Sequence, residues 1–262
     1  MSRRIAILST AVTLLAATAC APKLSRLPSG PGAPFPEFAA AYAQATESCR
    51  DIRTMRAVLS VSGRAGRRLR AQIDAGFEAP ARVRLELPAP GKPIFIYVAK
   101  GNAATLLLPR EGRVLRNAPP ADTLDALAGV RLGPEELRRI VVGCGLGTGQ
   151  PTAGRIYGSE WTAVDIDGAT AWLQRAGGAW RLAAATQGSL DVRYADPIGG
   201  RPQTIRLRAT RDGSAATDLT IRLSQVDTNE TLDAAVFEVE IPPDATPLTL
   251  DELRASGPLG KN

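Results

Sequence analysis

Few side chains in this 262-residue sequence are of the types that perform catalysis or bind metal ions. The chain has no histidine, which removes Ser–His–Asp and Cys–His nucleophile systems and the zinc sites that need imidazole. The paired carboxylates Asp165 and Asp167 fall in a turn, and Glu135 and Glu136 fall at a helix start, where acidic residues are common. The stretch GCGLGTG follows a predicted helix and lacks the lysine of a P-loop. We therefore predict a protein that is not an enzyme and has no metal or cofactor.

Cys20 ends an apolar run that begins just after two positive charges. Arg3 and Arg4 precede about 15 mostly apolar residues, IAILSTAVTLLAATA, a pattern typical of a secretory signal and short for a spanning helix. Small residues lead into the cysteine, and the arrangement resembles the lipobox of bacterial lipoproteins. That resemblance implies removal of a signal peptide, residues 1–19, and acylation of Cys20 as the new N-terminus. The alternative is a plain secretory signal followed by an incidental cysteine.

Acylation of Cys20 would anchor the mature chain to a membrane, since each buried methylene contributes about 0.8 kcal/mol. Residues 20–35 are rich in Pro, Gly and Ser, and we expect them to form a flexible tether ahead of a single domain, residues 36–262. Ala21 follows the cysteine, whereas an Asp there often marks retention in the inner membrane. The resemblance to bacterial lipoproteins therefore implies the periplasmic face of the outer membrane.

Cys49 and Cys144 are the two cysteines that remain. An even pair in an oxidising envelope compartment indicates one disulfide, which would tie a predicted helix to the segment IVVGCGLG. Two free buried thiols are the alternative reading.

The formal charge of +6 comes mainly from arginine, and its densest cluster is GRAGRRLR. Arg64, Arg67 and Arg68 of that cluster either contact anionic headgroups or form the solvated end of a hairpin. Nucleic acid is not an expected partner, because aromatic residues make up only 5% of the chain and no binding motif is present.

Most of the chain after residue 54 alternates between apolar and polar residues with a period of two, as half-buried strands do. The pattern is clearest in RLRAQIDAGF, RVRLELP, QTIRLRAT and DLTIRLSQV. PIFIYVAK is apolar on both faces and should be covered on both. Helices are predicted from about Pro36 to Arg53, in PPADTLDALAGV with a cap at Asp122 or Thr123, in LGPEELRRIVVGCG, and around TLDELRAS. The sequence therefore predicts an α+β, mainly β fold: a single curved antiparallel sheet of about eleven strands covered by lid helices.

The passage CRDIRTMRAVLSVSGRAGRRLRAQIDAGFEAPARVRLEL and the ending NETLDAAVFEVEIPPDATPLTLDEL resemble the LolA/LolB-like family of envelope lipoprotein-sorting proteins. In the ending, the resemblance places an apolar strand near Phe237. It implies an incomplete β-barrel with a helical lid, whose interior holds acyl chains of lipoproteins or other lipids. It further implies an outer-membrane lipoprotein that assists lipoprotein localisation and meets a periplasmic carrier protein.

Small residues on the apolar face of the sheet leave room for a ligand, and the candidate residues of such a cavity share that face. They are Leu59, Leu69, Leu85, Leu207, Ile221 and Leu223. The same residues are equally compatible with a core filled by the protein's own side chains. A structural envelope lipoprotein that binds a protein partner, with no lipid cargo, is the alternative function.

Overall fold

The computed structural model describes residues 24–211 and 214–256, which form one sheet with helices packed against it. Within this part of the chain the sheet has fifteen strands. They are β1 (Ala33–Pro34), β2 (Thr54–Ala65), β3 (Arg67–Glu78), β4 (Arg82–Leu87), β5 (Phe95–Lys100), β6 (Ala103–Leu108), β7 (Arg113–Ala118), β8 (Pro151–Tyr157), β9 (Trp161–Ile166), β10 (Ala169–Ala176), β11 (Ala179–Gln187), β12 (Leu190–Ala195), β13 (Thr204–Arg211), β14 (Ser214–Thr228) and β15 (Thr246–Pro247).

The strand order is β1-β8-β9-β10-β11-β12-β13-β14-β2-β3-β4-β5-β6-β7-β15. Strands β2 to β7 and β8 to β14 are two runs of sequential antiparallel neighbours, and pairing of β14 with β2 joins the runs. Only the two-residue strand β15 pairs in parallel among these strands. Over the described residues the sheet stays open, with β1 and β15 at its edges. The predicted α+β, mainly β fold with one large antiparallel sheet is confirmed.

The register gives the sheet one continuous apolar face, which we call the inner face. Leu59 pairs with both Ile73 and Leu223, and Ile221 pairs with Ile205. Residues paired in register project to the same side of a sheet, so the alternation predicted for single strands becomes one apolar surface.

The predicted strand count of about eleven is too low, and one predicted strand is wrong. β8 has the sequence PTAGRIY, whose small residues break the apolar alternation, and β1 and β15 are two residues long. The expected strand near Phe237 is instead a 3₁₀-helix, Ala234–Phe237. Its first N–H groups are capped by the Asp233 side chain, which accepts a hydrogen bond from Ala235 N at 2.9 Å.

This 3₁₀-helix covers the outer face of the sheet. Phe237 is buried, and Arg84 Nη1 donates to the carbonyl oxygens of Val236 and Glu238. On β5, Tyr97 and Val98 point to opposite faces and both are buried. The prediction that this strand is covered on both sides is therefore confirmed.

The helices are α1 (Phe38–Ala45), α2 (Glu47–Arg50), α3 (Pro120–Ala128), α4 (Pro134–Val142) and α5 (Leu250–Ser256). The helix predicted from Pro36 to Arg53 is interrupted at Thr46, whose hydroxyl donates to Tyr42 O at 2.8 Å. The cap predicted at Asp122 or Thr123 is wrong, because α3 begins earlier, with Pro120 in its first turn. The predicted ends of α3 and α4 are confirmed at Gly129 and Gly143.

The five helices of the described residues lie on the inner side of the sheet. Helix α1 packs on β8 to β11 through Ala41, and α3 contacts both β6 and α5. The apolar residues of α3 and α4 belong to one core with the inner-face strands. These helices and the loops between them bury the inner face, as the sequence predicted.

Strand pairing begins before residue 36, the predicted start of the domain. Ala33 and Pro34 pair with Ile156 and Arg155 of β8. Farther upstream, Ser25 Oγ donates to Gln174 Oε1 at 3.0 Å. The tether expected over residues 20–35 therefore contacts the sheet along its later part.

In the structure Cys49 of α2 and Cys144 after α4 form a disulfide, with Cα atoms 5.5 Å apart. Both residues are buried in the main core. The bond links two of the covering segments to each other across 95 positions of sequence.

We expect the double variant Cys49→Ala/Cys144→Ala to lose stability. Opening a cross-link across this span removes roughly 4–5 kcal/mol in the chain-entropy model of the unfolded state. Urea unfolding of the protein measures the loss. Reductant should shift the midpoint of the wild type toward that of the variant and leave the variant unchanged; equal midpoints in oxidised wild type and variant would contradict the prediction.

Helix α5 is held at its N-terminus by Glu252. Glu252 accepts hydrogen bonds from Thr249 N at 2.8 Å and from Arg113 Nη2 at 2.9 Å, and Glu252 N donates to the Thr249 hydroxyl. This reciprocal arrangement is a capping box. The hydrogen bond from Arg113, followed by those from Thr249, lowers the pKa of Glu252 from 4.5 to about 2.

Acid should therefore loosen α5. A carboxyl group whose folded pKa is depressed stabilises the fold fully above its unfolded pKa, and this stabilisation is lost as the pH falls from about 4.5 toward 2. We expect Glu252→Gln to speed amide hydrogen exchange in α5 at pH 7. As the pH falls through that window, the exchange rate of the wild type, corrected for intrinsic exchange, should approach that of the variant. Glu240→Gln, an exposed carboxyl on the tail, is the matched control and should leave α5 exchange unchanged.

Candidate functional site

A cleft of about 610 Å³ opens at one end of the sheet, between the β2–β3 hairpin and the helices α3 and α5. We call it the arginine cleft. The residues that line it come from the hairpin, from α3 and its end, from β14 and from α5; they are Arg64, Ala65, Gly66, Arg67, Leu69, Asp125, Ala126, Leu127, Gly129, Ala216, Thr217, Arg254 and Ala255.

The walls of the arginine cleft are joined by hydrogen bonds. Gly66 sits at the hairpin turn with φ +68°, a conformation that glycine adopts without strain, and its N–H donates to Ala216 O. Thr217 Oγ1 donates to Gly129 O at 2.8 Å and so fastens the end of α3 to β14. A Cβ on Gly129 would lie 2.9 Å from Thr217 Oγ1, so this close approach requires glycine.

The cleft combines an apolar floor with a charged rim. Leu69 and Leu127 are buried and lie beside the small side chains of Ala65 and Ala126. Most of the accessible surface of the cleft is polar, and these few side chains are where a hydrocarbon chain would make contact, because apolar area removed from water contributes about 25 cal/mol per Å².

Arginines from two elements form the rim. Arg64 and Arg67 come from the hairpin, and Arg254, from α5, is paired with Asp251 at 2.8 Å. Asp125 is the one carboxylate among the lining residues. The rim therefore carries an excess of positive charge.

Arg64 lies directly opposite Arg68 in the β2–β3 register. Like charges in directly opposed positions destabilise a strand pair, so an anion close to both would be favourable. Asp218 is opposite Arg64 on the other side, but its oxygens accept hydrogen bonds from Arg206 and Arg208 at 2.7–3.2 Å. No ion pair of Arg64 is present within the described residues.

The structure brings some of the predicted site residues together and separates others. Leu69 and Arg67 lie on the inner-face side of the arginine cleft, and Arg64 also lines the cleft. Arg64 projects to the same face of the hairpin as its register partner Arg68, which is exposed beside the cleft. The remaining five candidates for a cavity lie in the core, packed among the protein's own side chains with 2–7% of their surface exposed: Leu59, Leu85, Leu207, Ile221 and Leu223. Cys49 and Cys144 form a disulfide outside the cleft, and Cys20 lies outside the described residues.

Sequence reasoning missed the part of the cleft contributed by the helices. Ala126 and Leu127 of α3 and Arg254 of α5 are at least 57 positions from Leu69 in sequence. The available signal was the spacing of Leu124 and Leu127, which places both on the covering face of α3.

A second cleft, of about 460 Å³, lies at the opposite end of the sheet, and we call it the N-terminal cleft. Ser25, residues of α1 and α2, the β10–β11 hairpin and the β12–β13 loop line it. Tyr194 forms part of its wall, and burial raises the pKa of its phenol, which therefore stays protonated.

Within residues 24–211 and 214–256, no group of three or more Cys, Asp or Glu side chains could hold a metal ion. None of the helices in the same ranges has the length and apolar character needed to cross a bilayer.

The sequence matches no protein-family model and no curated protein. The structure, in contrast, is similar to that of a LolA superfamily protein from Nitrosomonas europaea, with TM-score 0.52 and 13% identity over 76% of this chain and 96% of that one. It is also similar to a DUF1329 family protein from Desulfovibrio piger, with TM-score 0.50 and 13% identity over the same shares. The protein therefore has a LolA-like fold, an open antiparallel barrel covered on its inner side by helices.

Proposed function

We propose that the mature protein is an envelope lipoprotein that binds the acyl chain of an anionic lipid or lipoprotein in the arginine cleft. Acylated Cys20 anchors it to the periplasmic face of the outer membrane, where it assists lipoprotein localisation. The observation that carries this proposal is the combination of an apolar floor and an arginine rim in a single cleft.

The size of the cleft supports a ligand with one hydrocarbon chain. Its volume of about 610 Å³ is within the range of roughly 300–1,000 Å³ typical of small-molecule sites. Leu69 and Leu127 would contact the chain, and the alanines beside them leave the space that larger side chains would fill.

The rim supports an anionic headgroup. Arg64 has no ion-pair partner among the described residues, and guanidinium groups bind phosphate and carboxylate oxygens in bidentate geometry. An anion near Arg64 would also relieve its repulsion with Arg68. Arg67 lines the same side of the cleft and would contact the headgroup as well.

A chain that extends deeper than Leu69 would have to displace the protein's own core. Leu207 and Ile221 occupy the next part of the inner face and are buried there. Access to them requires that α3 move, and the hydrogen bond between Thr217 and Gly129 is the contact that resists this motion at the cleft. We infer that the five core candidates contact ligand only in a state in which the helices have separated from the sheet.

A second function is supported by the outer face of the hairpin. Arg68 and Arg70 are exposed there, beside the cleft and outside its lining. A structural lipoprotein would use this surface to hold an acidic protein partner without any lipid. Cross-linking in the envelope would then recover one defined protein whether or not lipid is bound.

Filling the cleft should weaken acyl binding by the soluble mature protein. We expect Ala126→Trp to reduce the affinity for a fluorescent fatty-acid probe about tenfold or more, because the indole occupies the space of the chain. Arg64→Glu should reduce it roughly three- to tenfold, and this loss should shrink at high salt, unlike that of Ala126→Trp. Probe titration at two ionic strengths measures both.

The matched controls change the same residue types elsewhere. Ala183→Trp alters the N-terminal cleft and Arg116→Glu alters an exposed arginine of β7, and both should bind the probe as wild type does. Unfolding midpoints confirm that each variant is folded. If the probe binds saturably but neither cleft variant changes its affinity, the ligand binds elsewhere. If the probe shows no saturable binding, a lipid-binding function is excluded.

The anchor is tested separately. Cys20→Ser prevents acylation, so we expect the protein to move from the membrane fraction to the soluble periplasmic fraction. Several acyl chains together contribute far more than one salt-sensitive surface contact, since each buried methylene is worth about 0.8 kcal/mol. Fractionation with a high-salt wash measures the shift; membrane association of Cys20→Ser that survives the wash would contradict lipid anchoring.

A further inference from the structure

The end of the molecule opposite the arginine cleft presents an exposed aliphatic side chain. Ile198, in the β12–β13 loop, is 66% exposed. Among the described residues, the other large apolar side chains are buried or half-buried. A single exposed apolar side chain is common on protein surfaces, so the meaning of Ile198 depends on where it lies relative to the rest of the molecule.

The loop holds Ile198 in a fixed position. Ile198 N donates to Arg201 O at 2.9 Å, and Arg201 N donates to Ile198 O at 3.1 Å. Gly199 and Gly200 form the tip with φ of +58° and +80°, as a tight primed hairpin turn requires. Because the tip consists of two glycines, Ile198 and Pro197 are the apolar groups that a flat surface would meet there.

The N-terminal segment reaches the same end of the sheet. Ser25 Oγ donates to Gln174 Oε1 at 3.0 Å, and Ser25 O accepts a hydrogen bond from Arg193 Nη1 at 3.4 Å. Ser25 also lines the N-terminal cleft together with Pro197 and Gly200 of the Ile198 loop. The chain is therefore attached beside that loop.

Cys20 precedes Ser25 by only five residues, which span at most about 17 Å when fully extended. An acyl group on Cys20 must lie in the bilayer, so the attachment point at Ser25 must lie close to the membrane surface. We propose that the β10–β11 hairpin and the Ile198 loop rest on the lipid bilayer, with Ile198 inserted among the headgroups.

The charges at this end fit an anionic lipid surface. Arg175 and Arg181 are exposed on the β10–β11 hairpin, where residues 174–181 include no acid. The Arg175 guanidinium lies 5.2 Å from the ring centroid of Trp180, which is itself buried, so this cation–π contact positions Arg175 at the surface. Asp196, Glu47 and Glu160 are acids at this end. Asp196 accepts a hydrogen bond from Thr204, and Glu160 O accepts one from Arg175 N at 2.7 Å.

This inference rests on the proposed anchor at Cys20 and does not depend on the arginine cleft. Ile198 alone would bind membranes weakly, but the anchor keeps the loop at a high effective concentration near the surface. Strand β2, 12 residues long, runs between the two ends, a length of about 40 Å. The arginine cleft therefore faces away from the anchoring bilayer, and its arginines contact bound ligand rather than that membrane's headgroups.

Fluorescence quenching tests the orientation in the full lipidated protein. With Cys20 acylated and Cys49 bonded to Cys144, Ile198→Cys supplies a single reactive thiol for an environment-sensitive label. The protein is placed in vesicles of phosphatidylethanolamine and phosphatidylglycerol that contain tail-quencher lipid. We expect the label to lose roughly half its emission or more, because interfacial groups sit about 5–10 Å deep.

The matched control is Ser189→Cys, in the exposed β11–β12 turn at the opposite end, whose label should stay unquenched. A second comparison tests the isoleucine side chain itself. A label at Pro197→Cys should be quenched while Ile198 is present, and adding Ile198→Asp to that protein should remove most of the quenching. Equal quenching at 198 and 189, or no effect of Ile198→Asp, overturns the proposal. Protein that does not float with the vesicles overturns the anchor as well, whereas loss of acyl-probe uptake by the soluble form bears only on the arginine cleft.

Discussion

Coverage of the inner face is the constraint on which the rest of the structure depends. In the part of the chain that the structure describes, thirteen strands of six residues or more build the sheet, and its apolar face is stable only when water is excluded from it. The covering elements are short: α1, α3, α4 and α5 have 8, 9, 9 and 7 residues. They cover the surface jointly, and a disulfide links two of the covering segments. The arginine cleft lies where α3 and α5 both end, so it is a direct consequence of helices shorter than the strands they cover.

The helix ends also favour the arginines of the rim. Helix C-termini carry a partial negative charge, and the C-terminal turns of α3 and α5 both reach this end of the sheet. Cations beside them are favoured even without a ligand, which offsets part of the repulsion between Arg64 and Arg68. A bound anion would add to that compensation, with an apolar floor available for its hydrocarbon part.

The strands and the hairpin half of the site were predictable, because they depend on local patterns. Alternation in β2, β3, β13 and β14 determines which side chains face inward, and the arginines share one hairpin with Leu69. Other features depend on tertiary contacts. The segment ending at Phe237 is apolar like a strand, yet it covers the outer face as a 3₁₀-helix, and β8 is held by pairing despite a weak pattern. Leu207 alternates in the same way whether it lines a cavity or fills a core, so periodicity cannot distinguish the two.

The N-terminal segment connects the anchor to the use of the cleft. From residue 24 onward, its hydrogen bonds with the sheet are few: those of the two-residue pairing of β1 with β8, one from Phe35 N to Gly154 O, and the two of Ser25. Phe35 also packs on Trp180, with ring centroids 6.0 Å apart. Segments with so few contacts open at low free energy. While they hold, the proposed anchor keeps the cleft about 40 Å from the membrane, a position suited to a donor in the periplasm. Release of residues 24–34 would add up to about 35 Å of chain, enough for the cleft to reach the bilayer. Uptake and delivery of an acyl chain would thus correspond to the docked and released states of one short segment.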